Sequence, residues 1–141
     1  MAVRRCLVVA NQTLTGSHLI AEVLARSARE PYEFHILVPA SHNHNHGMWT
    51  EGDAVAHARA ALANALDHFG DAGVPASGEV GDEDPVLAVG DVLRRERFDE
   101  IIVSTLPPGV SRWLKRDLPR RLVRRYDVPV THVVATSVAV E

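Results

Sequence analysis

Between Phe98 and Arg125 the chain reads FDEIIVSTLPPGVSRWLKRDLPRRLVRR. A strand-like apolar run, Glu100–Val103, leads into Ser104-Thr105-Leu106-Pro107-Pro108-Gly109, and seven Arg or Lys follow between Arg112 and Arg125. In open α/β sheets the loop after a parallel strand gathers anionic ligands, because the next helix points free N–H groups and its positive end at them. Ser104, Gly109, Ser111, Arg112 and Lys115 are therefore candidates for phosphate contacts, the last two as charge-assisted donors. The competing account is a solvated amphipathic helix. Arg112, Arg116, Arg120 and Arg124 recur every four residues, with Leu114, Leu118 and Leu122 as the apolar counter-stripe. Arg124 and Arg125 stand near the helix C-terminus, where cations are favourable without any ligand.

Two other clusters carry chemistry. Asn11-Gln12-Thr13 follows the first apolar run, and the amides of Asn11 and Gln12 can read a base edge or a ribose hydroxyl, or simply form a polar turn. His42, His44 and His46 alternate in Ser-His-Asn-His-Asn-His-Gly. In an extended segment that spacing puts three imidazoles on one side, a candidate grip for Zn, Ni or Cu; a flexible polar loop is the other reading. There is no P-loop, GxGxxG, GxSxG or HxGH motif. Asp82 and Asp84 serve a turn and a helix cap, and Cys6 has no paired histidine, so the chain is expected not to be an enzyme.

These groups need elements to position them. The 141 residues, net charge −3 and 46% hydrophobic, fit one globular domain over 1–141. Cys6-Leu-Val-Val-Ala10, Phe34–Val38, Ile101–Val103 and Val128–Val134 read as strands, mostly without polar alternation, and Ala76–Val80 as a weaker one. Ser17–Arg29 is expected to be a helix with Ile20, Val23, Leu24 and Ser27 on its inner face, ended by Pro31. Thr50-Glu-Gly-Asp53 opens the next helix, whose stripe is Val55, Ala58, Leu62, Ala65, Leu66 and Phe69, stopped at Gly70 or Gly73. Asp84-Pro85 introduces Val86–Arg95. Asp117-Leu118-Pro119 splits the last helical stretch into Ser111–Arg116 and Leu118–Tyr126, Asp117 acting as a second N-cap. The alternation of strand and helix predicts an α/β, three-layer Rossmann-like sandwich with a five-stranded parallel sheet. Ligands then fall at the carboxyl edge, whether strand one pairs with strand three or strand four.

In order and spacing these residues resemble the universal stress proteins of the adenine-nucleotide-binding α/β group. Leu7–Thr13 is similar to that family's opening strand, with Asn11-Gln12-Thr13 where Asp-Gly-Ser is usual. Val80-Gly81-Asp82 followed by Asp84-Pro85 is similar to its Gly-Asp-Pro turn. Phe98–Val103 is similar to its Ala-Asp-Leu-Ile-Val-Val strand, and Val128-Pro129-Val130 to its Cys-Pro-Val closing strand. The resemblance implies strand order 3-2-1-4-5 and a ligand crevice that adds Ala10, Asn11, Gln12, Val38, Pro39 and Gly81 to the loop residues above. ATP-binding members carry Gly-x-x-Gly and, further along the helix, Gly-Ser or Gly-Thr. Here Ser104 and Pro107 stand at the first two glycines, unless a two-residue shift brings Gly109 into use. Proline has no N–H for a phosphate, and the lost glycines remove close backbone approach.

The leading expectation is a non-enzymatic stress-response binding or signalling module. The alternatives are an adenine-nucleotide (ATP) binder with a remodelled loop, and a structural interaction domain with no small ligand. A long apolar last strand is an aggregation hazard unless paired, so a homodimer through Val133, Ala135, Val138 and Val140 is expected, a disordered tail after Ala135 being the competitor. The basic stretch lacks interleaved aromatics, which argues against nucleic acid. One cysteine, no apolar run of ~18 residues and no signal-type h-region lead to an expected cytoplasmic, non-membrane protein with an unidentified protein partner.

Overall fold

Strands of Val, Ile and Leu without polar alternation must be covered on both faces, and a parallel sheet between helix layers does this. β1 (Arg4–Val9), β2 (Tyr32–Pro39), β3 (Ala76–Gly81), β4 (Glu100–Thr105) and β5 (Val130–Val134) pair in the order β3-β2-β1-β4-β5, parallel at every step. The computed structural model describes residues 3–11, 13–40, 51–107 and 111–134. Val8 lies beside Ile36 on one side and Ile102 on the other, all fully buried. The expected sheet order holds.

α1 (Ser17–Arg29) and α2 (Glu51–Asp71) cover one face; α3 (Pro85–Arg95), α4 (Arg112–Lys115) and α5 (Leu118–Arg125) cover the other. The inner stripe of α1 is phased differently from the expectation: Leu19 and Val23 are buried while Leu24 is 38% exposed. Both phases satisfy an i, i+4 pattern, and packing into the core on this face of the sheet selects the one with Leu19. α2 runs to Asp71 and stops where Gly73 adopts φ +88°, with the Val74 N–H on the Phe69 carbonyl at 2.9 Å. The Thr50 cap lies outside the described residues.

The Asp84 carboxylate accepts the Val86 N–H at 2.9 Å and Pro85 fills the first turn of α3, as read from sequence. Asp117 does not repeat this. It sits in the left-handed region at φ 56° with no side-chain cap, and it is its carbonyl that receives the Arg121 N–H. β5 starts at Val130, two residues after the expected start, because Pro129 has no N–H for the ladder; its carbonyl accepts the Ile101 N–H at 2.8 Å.

Gly81 is where α3 meets the sheet. A Cβ there would lie 2.8 Å from Leu37 Cδ1 and 2.9 Å from the Ala88 Cβ. Gly81→Ala is expected to cost about 1–3 kcal/mol by overpacking, read as a lower urea midpoint at unchanged slope. A variant as stable as wild type would show that α3 shifts freely.

At the amino-terminal edge of the sheet the Glu100 carboxylate is buried and accepts from Arg4 Nε (3.0 Å), Tyr32 Oη (2.7 Å) and Arg26. Arg26 also reaches Thr131 Oγ1 at 3.1 Å and Glu22 at 3.1 Å. One carboxylate thus joins β1, α1, β2 and β4, and through Arg26 it reaches β5. The guanidinium of Arg5 lies 4.6 Å over the Phe98 ring and donates to the Arg97 carbonyl at 2.8 Å and to Glu96 at 2.7 Å.

Candidate functional site

The carboxyl ends of β1 and β4 are neighbours in the sheet, so the residues after them converge. The Ser104 hydroxyl, 1% exposed, lies 2.5 Å from Thr13 Oγ1 and 3.3 Å from His18 Nε2. One strand further, Thr105 Oγ1 contacts His132 Nε2 at 2.8 Å. On the other side, the Asn11 amide donates to the Pro39 carbonyl at 2.9 Å and the Ala40 N–H to the Gly81 carbonyl at 3.0 Å, tying the ends of β1, β2 and β3. The edge is a row of hydroxyls, imidazoles and amides, each paired with a neighbour within the protein.

Burial holds the His18 imidazole below its ordinary pKa, and its place in the first turn of α1 also disfavours the charged ring. The native state therefore binds fewer protons than the unfolded chain between the lowered value and the ordinary one near 6.5. The contribution of His18 to stability is complete above about pH 6.5 and is lost as pH falls through the folded value. The urea midpoint of the wild type should fall on acidification from pH 7 to pH 5 more steeply than that of His18→Gln. Equal slopes would count against a partly buried neutral ring.

The candidate residues divide three ways. Ala10, Val38 and Pro39 are buried; Ala10 and Val38 belong to the core under α1 and α2 and offer a ligand no side-chain surface. Asn11 and Gly81 remain partly exposed along the edge, together with Leu106 and Pro107. Ser111 is buried and accepts the Leu114 N–H at 3.2 Å, opening α4. Gln12, Gly109, His42, His44, His46, and the side chains of Arg112 and Lys115, lie outside the described residues. Trp113 packs partly buried on the core beneath α3 and α5 instead of into the edge. Arg116, Arg120, Arg121, Arg124 and Arg125 are exposed, and Arg120 approaches Asp117 at 3.7 Å. Cys6 is fully buried and burial pushes its thiol pKa up, so it is an inert core group. The sequence reading gave no role at this edge to His18 and His132; a single histidine early in a helix or inside a strand carries no local mark of such a place.

No family model matches the chain, and no curated protein matches it. Solved structures do. A universal stress protein from Archaeoglobus fulgidus in complex with dAMP superposes at TM-score 0.65, with 10% identity over 94% of this chain and 98% of that one. A universal stress protein in complex with cAMP gives 0.60, with 16% identity over 96% and 100%. A universal-stress-family protein from Burkholderia pseudomallei gives 0.58, with 16% identity over 91% and 93%. The chain has the universal stress protein fold. Among the described residues no helix is long and apolar enough to cross a membrane.

Proposed function

We propose that this chain is a non-catalytic binding module of the stress-response type, working in the cytoplasm as a homodimer, with its ligand crevice at the carboxyl edge over β1 and β4. One observation carries the reading: the Ser104 hydroxyl is buried and held between Thr13 and His18, an arrangement that keeps a shape instead of presenting a nucleophile. The two structural neighbours solved with dAMP and cAMP favour an adenine nucleotide as the ligand. A single phosphate asks for fewer donors than a triphosphate, which suits a loop with Ser104 and Pro107 where ATP-binding relatives use glycine. β5 is an edge strand of the sheet, which supports pairing through Val133; Ala135, Val138 and Val140, the other residues expected at the pairing, lie outside the described residues.

The melting temperature of metal-free protein, with and without ~1 mM AMP, cAMP or ATP and with GTP as control, tests this. At a hundredfold excess over Kd the ligand adds about 2.7 kcal/mol, a rise of several degrees. A selective rise with AMP or cAMP is the expected result. No rise with any adenine nucleotide would leave a ligand-free interaction domain as the better reading. Sedimentation of the same sample checks the dimer.

A further inference from the structure

α3 ends at Arg95, and its cap residue Glu96 hangs over the sheet beside the amino-terminal halves of β2 and β3. His35 lies opposite Ser77 in the β2–β3 register, and Glu79 follows two residues on, on the same face. One ligand atom from each of His35, Glu79 and Glu96 lies within 4.8 Å of the other two. We propose that these three side chains form a binding site for a divalent transition-metal ion, with zinc as the probe.

The imidazole is already oriented. Its Nδ1 contacts Ser77 Oγ at 2.7 Å and its Nε2 contacts Glu79 Oε2 at 2.7 Å. When Nδ1 carries the proton toward Ser77, the Nε2 lone pair faces a carboxylate oxygen, and the two acceptors need a cation between them. A metal ion fills that need, as does a proton in the other tautomer. Zinc bonds nitrogen and oxygen at about 2.0–2.2 Å in a tetrahedral arrangement, so the Nε2–Oε2 gap has to open from 2.7 Å to about 3.4 Å. Donation from Nδ1 to Ser77 Oγ would fix the ring as an outer-shell contact does, a place that in metal-binding histidines is usually filled by a carboxylate, a backbone carbonyl or water.

Both carboxylates are also held from behind. Arg95 bonds Glu79 Oε1 at 2.7 Å and Arg5 bonds Glu96 Oε1 at 2.7 Å, which leaves the second oxygen of each carboxylate for the ion. With Glu33 on Arg5, three carboxylates face two guanidiniums around His35, so acids outnumber bases there. The Phe98 ring, stacked 6.0 Å from His35, makes an apolar wall. Side-chain exposures of 12% for His35, 29% for Glu79 and 33% for Glu96 leave an ion a way in while removing most of the competing water. One imidazole with two carboxylates favours Zn, Co or Ni over Mg and Ca, which prefer all-oxygen sets. The cluster lies away from the carboxyl edge and is independent of the function proposed there.

The test is calorimetric titration of zinc into metal-free full chain carrying His42→Asn, His44→Asn and His46→Asn, because those three imidazoles are a second potential grip. One zinc per chain is expected, with no heat from magnesium. Glu79→Gln and Glu96→Gln should each weaken binding roughly tenfold or more, and Ser77→Ala by about 10–100-fold. Cobalt in place of zinc should give a visible spectrum that Glu96→Gln shifts and weakens. Glu96 is partly exposed at a helix end, so that variant is expected to fold, and its melting temperature without metal checks this. Zinc uptake that disappears with the loop histidines, or that survives Glu96→Gln at full strength, overturns the proposal.

Discussion

Glu100→Ala should lower the unfolding free energy by about 3–5 kcal/mol, the usual consequence of deleting one partner of a buried charge cluster. The carboxylate is the common acceptor for Arg4, Arg26 and Tyr32. Without it the Arg26 guanidinium, whose side chain is mostly buried, keeps the Glu22 carboxylate and the neutral hydroxyls of Thr131 and Tyr32 among the described residues. The cost is that of an uncompensated cation, so it should be relieved by removing the cation as well. Arg26→Met combined with Glu100→Ala should be more stable than Glu100→Ala alone. Urea midpoints of the three variants decide the matter. A loss under about 1 kcal/mol for Glu100→Ala would place the cluster among solvated surface pairs.

Leu122→Ala should cost about 2–5 kcal/mol. The helix it belongs to, Leu-Pro-Arg-Arg-Leu-Val-Arg-Arg, buries only Leu118 and Leu122, and both insert under α3 beside Val89 and Val92. Its four arginines are exposed, so Leu118 and Leu122 are the side chains that α5 buries. Truncating Leu122 therefore leaves a cavity at one of its two anchors, and the neighbouring Trp113 packs on the same cluster and reports it. Trp113 emission should shift to the red at urea concentrations below the main transition. Val123→Ala, one residue away and 57% exposed, should change stability by less than about 0.5 kcal/mol. Equal effects at the two positions would mean that α5 does not dock as described.

What the sequence made legible was what neighbouring residues decide. Asp84-Pro85 starts α3, Gly73 ends α2, and Asp117-Leu118-Pro119 splits the fourth crossover, each through backbone chemistry within a few residues. The apolar runs announced the parallel sheet, and the resemblance to universal stress proteins supplied its order. Illegible were the pairings that exist only once that order is set. Thr13 meets Ser104 across 91 residues, Arg26 meets Glu100 across 74, and His35 meets Glu79 because β2 and β3 are adjacent. The choice of Leu19 over Leu24 as the inner residue of α1 is likewise made by the core it packs into, which periodicity does not see. At the candidate site, the strand-end residues Ala10 and Val38 were identified by position, but an apolar side chain at the end of a central strand is drawn into the core.

The strand order also sets a schedule for the chain's own synthesis. β1 pairs with β2 soon after both are made, but its second neighbour, β4, follows more than ninety residues later in the sequence. At roughly 5–20 residues per second a ribosome takes on the order of 5–20 s to deliver β4. Throughout that interval the nascent chain carries an unpaired β1 edge lined by Leu7, Val8 and Val9. The interior of the finished protein is, for those seconds, an uncovered edge of the kind that aggregates.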